Sequence, residues 1–172
     1  MKKVAVVLLL IILCCTLAAC FDGVITESKF FFVMTTINAY PENYTDMTLE
    51  FDCFTYNLQD VNGKTYICGV RHCSAAYGCT CGNDTIIGFV LEYNVELPEP
   101  RNQSDESQDK TWVHLKGKLK NTDKLNIEIR SYIDGKPDPN NTEQIQLLVF
   151  VVESCTVLTE QEYSSLNRYV NK

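Results

Sequence analysis

The chain has 172 residues, 45% of them hydrophobic, with 15 Lys and Arg against 22 Asp and Glu and a formal charge of −7. That length suits one domain with tails. The acidic balance argues against a nucleic-acid partner, which needs a basic footprint.

The opening MKKVAVVLLLIILCCTLAAC has the parts of an export signal: Lys2 and Lys3, an apolar run over 4–13, then small residues up to Cys20. Leu17-Ala18-Ala19-Cys20 resembles the bacterial lipobox, whose cysteine is lipidated on sulfur and becomes the first mature residue. A plain secretory peptide cut after Ala19, or a short membrane anchor, is the alternative. The expected division is a lipoprotein signal peptide over 1–19, a tether over 20–29 and one domain over 30–172. The domain would sit on the extracytoplasmic face of the cell membrane through lipid on Cys20. Losing Lys2 and Lys3 and no acid takes the formal charge from −7 to −9, so the lipid is the one membrane contact expected. Asn43, Asn83, Asn102 and Asn140 open glycosylation sequons that carry no weight beside a lipobox.

Residues 30–34, Phe-Phe-Phe-Val-Met, read as a first strand or a core plug, and 35–44 as a short helix broken at Pro41. Over 47–56, Met47, Leu49, Phe51 and Cys53 alternate with Thr48, Glu50 and Asp52, which predicts a strand. The apolar set then moves to Phe54, Tyr56 and Leu58, a slip that predicts a β-bulge or a sharp coil of the strand. Asn62-Gly63 reads as a two-residue hairpin turn returning into a strand over 64–73. A third, central strand is expected over 85–95. Residues 96–110 read as a surface loop rich in Pro, Ser, Asp and Glu. Strands follow at 112–119, 125–133 and 145–156, with another loop over 134–143. Thr159 and Glu162 form a capping box for a last helix to about residue 167. Six strands, long loops and one or two short helices predict a mainly β fold, a small OB-like β-barrel, with an open sandwich as the other reading.

From 33 to 169 this order of features resembles a domain of unknown function from bacterial two-component permease systems. There it is the extracytoplasmic C-terminal part of a membrane protein encoded beside a permease. The stretches that carry the likeness are TINAYPENY, TLEFDCFTY, IIGFVLEY, TWVHLKGKL and VESCTVLTEQEY, with a cysteine-containing turn between the second and third. The family's turn has an adjacent cysteine pair followed by a small residue and an acid. Here His72-Cys73-Ser74-Ala75-Ala76 puts histidine in place of one cysteine, and Cys79 and Cys81 lie in extra length. A lipobox also stands where family members carry transmembrane segments. The resemblance implies an OB-like barrel at the cell surface, a permease subunit as partner, and no known reaction.

Of nine cysteines, Cys14 and Cys15 leave with the signal and Cys20 carries lipid, so six remain: Cys53, Cys68, Cys73, Cys79, Cys81 and Cys155. Thiolate and imidazole suit zinc or copper, so His72, Cys73, Cys79 and Cys81 are metal candidates. Cys53 joins them if Asn62-Gly63 is the turn, because Val61 then pairs with Lys64 and Cys53 falls opposite His72, Cβ atoms about 5 Å apart. Cys68 lies four residues from His72 on the same face, about 13 Å along a strand, too far to share an ion. A disulfide staple among Cys68, Cys73, Cys79 and Cys81 uses the same thiols. A thiol-redox role would need a strained Cys79–Cys81 bond. Cys53, Cys68 and Cys155 can equally be small buried hydrophobes. His114 alternates with Trp112 and Lys116 and is expected on the solvent side or partly covered, with Glu50 and Asp52 in a solvated stripe. Tyr77 is a loop packer or a recognition aromatic. No hydrolase elbow, metalloprotease helix, phosphate loop or Cys-x-x-Cys motif is present, so no enzymatic activity is expected.

Overall fold

A computed structural model of the chain describes residues 23–74, 85–100, 110–133, 136–166 and 169–171. The signal segment, Cys20, Tyr77, Cys79 and Cys81 lie outside them, and Cys73 is described by its backbone alone. The described chain is mainly β, one mixed sheet with two short helices.

The chain enters the fold at once. Gly23 accepts a hydrogen bond from Glu50 N, and β1 (Val24–Ile25) pairs in parallel with the start of β2 (Leu49–Gln59). Ile25 is buried, and a 3-10 turn over Glu27–Lys29 follows. The expected tether therefore belongs to the body of the domain from Gly23 onward. The run Phe30-Phe31-Phe32 is not a strand but the first turn of helix α1 (Phe30–Ala39). Phe30, Val33, Met34 and Ile37 stand at helical spacing and are all buried, and this stripe selects the helix over the strand preference of the single residues. Pro41 ends the helix and begins a second 3-10 turn, Pro41–Asn43.

On β2, Leu49, Phe51 and Cys53 face one core and Phe54, Tyr56 and Leu58 a second on the opposite side. The change of apolar face comes from burial on both sides of one strand. The expected bulge is absent: the ladders of β2 to β3 (Thr65–Ser74) and to β5 (Trp112–Ile133) both run without a register shift. β4 (Thr85–Tyr93) lies antiparallel to β3 and parallel to β6 (Lys136–Val157), which lies antiparallel to β5. Thus β2, β5, β6, β4 and β3 are hydrogen-bonded neighbours in turn, and β3 pairs again with β2. β7 (Tyr169–Asn171) adds in parallel to the far edge of β3.

The two expected strands at 112–119 and 125–133 are one strand with a register break between Leu119 and Lys124. The loop expected over 134–143 is strand from Lys136 onward, so β5 and β6 extend past the break as a long two-stranded arm. Prolines are tolerated near its tip, where the ladder ends. The arm reaches back to the β2–β3 loop, where Val61 N donates to Glu128 O.

The first core is closed by α1 and centred on Phe51, Phe89 and Phe150, with ring centroids 5.2–5.8 Å apart. Such pairs add about 0.5–1.5 kcal/mol each beyond their buried area. The second core lies between the outer faces of β2, β3 and β4 and the arm, where Ile127 meets Phe54, Cys68, Val70, Val90 and Trp112. Tyr163 and Leu166 pack on it from α2 (Glu160–Tyr163) and the following turn. Glu162 starts that helix by accepting from both Thr159 N and Thr159 Oγ1 at 2.7 Å. The helix ends four residues short of the expected 167.

Candidate functional site

The cysteine turn leaves the sheet where β3 ends and returns where β4 begins. Cys73 pairs with Thr85 on one side and Val170 on the other, while His72 pairs with Ile86 and Tyr169. The segment carrying Cys79 and Cys81 therefore starts and finishes on adjacent strands. Backbone pairing holds its two ends about 5 Å apart.

Beneath this base lies a buried zone of basic side chains and aromatic rings. His72, only 2% exposed, lies over Phe54 with ring centroids 5.2 Å apart and 30° between planes. Trp112 meets Phe54 edge-on at 5.5 Å, and Lys110 Nζ sits 4.5 Å from the centre of the Phe54 ring. On the other face of β3, Arg71 is 1% exposed and donates to Glu27 Oε1 at 3.3 Å. Its guanidinium lies 5.1 Å from the Trp112 ring and 5.6 Å from the Phe30 ring. Burial pulls the Arg71 pKa down and Glu27 opposes this, so the ion pair and the ring faces keep a buried cation charged. An acidic chain thus gathers His72, Arg71 and Lys110 at the root of its cysteine turn. Sequence reading passed over Arg71 and Lys110. The available signal was a charged residue inside the strand CGVRHC.

Cys53 and His72 do not meet. The β2–β3 loop is longer than Asn62-Gly63: Gln59 pairs with Thr65, Asp60 N donates to Lys64 O, and Gly63 turns the chain at φ 83°. The one-residue slip places Cys53 in the first core and His72 on the opposite face of the sheet. Cys68 shares the outer face with His72, as expected, and packs in the second core.

Among the described residues, Cys53, Cys68 and Cys155 are free, and no group of three or more His, Cys, Asp or Glu side chains is placed to hold a metal ion. Burial pushes the Cys53 thiol well up, and Cys155 and Asp52 add to this while Arg71 opposes it. Burial alone raises Cys68 to about 12 and also raises Cys155. These three are protonated at neutral pH, poor nucleophiles and poor metal ligands.

His114 is on the solvent side, as expected, but not idle. It is 39% exposed, its Nδ1 lies 2.8 Å from Asp52 Oδ1, and its Nε2 lies 3.7 Å from Glu50 Oε2. Lys116 Nζ donates to Glu50 Oε1 at 2.6 Å. The Lys116 hydrogen bond, opposed by partial burial, holds the Glu50 carboxyl below its usual range, and Glu50 in turn raises Lys116. The expected solvated stripe is a ladder of cross-strand pairs, Asp52 opposite His114 and Glu50 opposite Lys116. It became visible only once β5 was known to lie beside β2.

The family model of the DUF1980 C-terminal domain, a domain of unknown function, matches residues 18–133. The chain belongs to this family. No curated protein and no solved structure matches it. The span of the DUF1980 domain covers β1 to β5 with α1, and so includes the cysteine turn and the whole cation–aromatic zone. β6, which completes the first core with Leu148, Phe150 and Val152, lies beyond it.

Proposed function

We propose that this DUF1980 domain is an OB-type barrel held on the extracytoplasmic face of the membrane by lipid on Cys20. There it binds a thiophilic ion, zinc or copper, through Cys73, Cys79 and Cys81 as an accessory module of a permease. The cyclic pairing β2–β5–β6–β4–β3–β2, with its one parallel contact between β4 and β6, supports the barrel. Five strands joined in this order are the connectivity of the OB fold.

The observation that carries the metal reading is an odd count. Of six mature cysteines, Cys53, Cys68 and Cys155 are free and protonated, which leaves three on or beside the turn. Three thiols cannot all pair in one chain, whereas three thiolates suit Cu(I), or zinc with one further ligand. His72 is next to Cys73 in a regular strand but is buried over Phe54, so a fourth ligand for zinc would come from elsewhere, and Cys53 also drops out of the set. The paired strand ends at Cys73 and Thr85 limit the chain entropy lost when the turn closes on an ion.

The test is to prepare the chain from Phe21 onward without oxygen and to measure bound metal and free thiols on one sample. One zinc or copper per chain, lost in the Cys79→Ser, Cys81→Ser variant, supports the proposal. Absence of metal with two thiols missing until reductant is added identifies a disulfide staple and overturns it. Thiols that cycle with a redox buffer identify a redox protein instead.

A further inference from the structure

We infer that the outer face of α1 lies in the headgroup region of the membrane, a second contact beside the lipid. The inference rests on the proposed anchoring at Cys20 and concerns how the domain is then seated.

The chain between anchor and fold is short. Gly23 is already hydrogen-bonded to Glu50, three residues beyond Cys20. Three residues fully extended span about 10 Å, less than the thickness of the domain, so the body cannot stand clear of the surface. A long tether would leave every face free to turn toward water. This one brings the β1–α1 end of the domain against the bilayer.

That end presents a face suited to the place. Phe32 is 74% exposed, more than any other large hydrophobic residue described, and stands on α1 with exposed Thr35 and Ala39. The opposite stripe, Phe30, Val33, Met34 and Ile37, is buried in the first core, so α1 is held with Phe32 outward. No residue of α1 is charged, although the mature chain carries 22 acids, and exposed Lys29 stands at its start. Val24 and Tyr40, on either side along the chain, are also exposed apolar residues. An uncharged helix with an outward phenylalanine, an exposed tyrosine just past its end and a flanking lysine is matched to the interface between headgroups and acyl chains. The described helices are too short to cross a membrane, and this seating requires no crossing.

The test uses the full chain, processed by the cell, purified in detergent and returned to vesicles of phosphatidylcholine and phosphatidylglycerol with brominated acyl chains. Trp112 is the one native tryptophan and is buried, so the parent supplies the background for Phe32→Trp and, on the same stripe, Thr35→Trp. Both introduced tryptophans are expected to shift to the blue and to lose roughly half their emission, as a side chain 5–10 Å into the interface does. Gln144→Trp on the arm is expected to keep its emission. A chain whose Cys20 carries lipid by mass but whose Phe32→Trp and Thr35→Trp variants are unquenched overturns the seating and leaves the anchor standing. Equal quenching at all three positions overturns the orientation. A chain without lipid on Cys20 that stays out of the vesicles overturns the anchoring reading and this inference with it.

Discussion

Gly88 is where β3 and β4 approach too closely for any side chain, and replacing it with alanine tests how rigidly they carry the cysteine turn. A Cβ at Gly88 would point onto the carbonyl oxygen of Gly69 and lie 2.8 Å from Val70 Cα and 3.0 Å from the Gly69 carbonyl carbon. All three obstacles are backbone, so no rotamer change relieves them. The strands must part, which sacrifices two or three ladder hydrogen bonds at about 1 kcal/mol each and exposes buried polar groups, about 3–5 kcal/mol in all. Gly69 and Gly63 calibrate that figure. A Cβ at Gly69 meets only side chains, Leu115, Cys53 and Leu91, at 3.0–3.2 Å, and repacking them costs about 1–2 kcal/mol. Gly63 has open space but φ 83°, so its alanine variant bears only the left-handed strain of about 1 kcal/mol. Urea unfolding of the chain from Phe21 onward, followed by Trp112 fluorescence, should rank Gly88→Ala worst and Gly63→Ala mildest. On the proposed metal reading, affinity should also fall with Gly88→Ala, because the pairing of the displaced strands ends at Cys73 and Thr85. A Gly88→Ala stability within about 1 kcal/mol of the parent would refute the reasoning, since that is less than one ladder bond and its exposed partners.

Burial raises the Cys68 thiol from an ordinary 9.0 to about 12, so the folded chain holds that proton more tightly than the unfolded chain. The resulting stability is complete below pH 9 and is lost as pH rises toward 12, at about 1.4 kcal/mol per pH unit. Urea midpoints from about pH 7 to 11 should show this fall, and Cys68→Ala should make it shallower while the buried Cys53 and Cys155 thiols keep the rest. Cys53 and Cys68 should react with a thiol reagent at least roughly a hundred-fold more slowly in the folded chain than in urea, a ratio read by mass spectrometry. Lys116→Ala should bring the Glu50 titration back up toward its ordinary 4.5, seen in the carboxyl carbon resonance.

What was legible in the sequence was local and periodic. Leu49, Phe51 and Cys53 announced one buried face of β2, the capping pair Thr159 and Glu162 announced α2, and the cysteine turn joins two strands as expected. What was not legible depended on who lies beside whom. Phe54, Tyr56 and Leu58 looked like a slipped register because nothing in their own order shows that a distant arm covers the outer face of β2. Phe30 to Phe32 have the composition of a strand, and only the stripe continuing to Ile37 makes them helical. His114 and Asp52 are 62 positions apart, and their hydrogen bond needs the β2–β5 pairing before it can be seen. The same holds for the zone at the root of the turn, whose members come from β2, β3, the start of β5 with Lys110 just before it, α1 and the 3-10 turn at Glu27.

The register of β3 turns on a still smaller feature. Asp60 Oδ1 accepts from Asn62 N and from Lys64 N, each at 2.8 Å, while Asp60 N donates to Lys64 O. This side chain does for the loop what a backbone turn would do, and it sets the length that separates Cys53 from His72. Two hydrogen bonds to an ionised acceptor at the surface are worth about 1–2 kcal/mol together, so Asp60→Ala should lower stability by that much. Asp60→Asn keeps an acceptor oxygen in the same place and should recover more than half of the loss. The strands alone have reason to hold their register, because a slip by one residue would turn Arg71 outward and His72 into the first core. If Asp60→Ala and Asp60→Asn both match the parent in urea, burial along β3 decides the register and the loop merely follows it. If alanine weakens the fold and asparagine restores it, the loop takes part in choosing which face of the sheet His72 occupies.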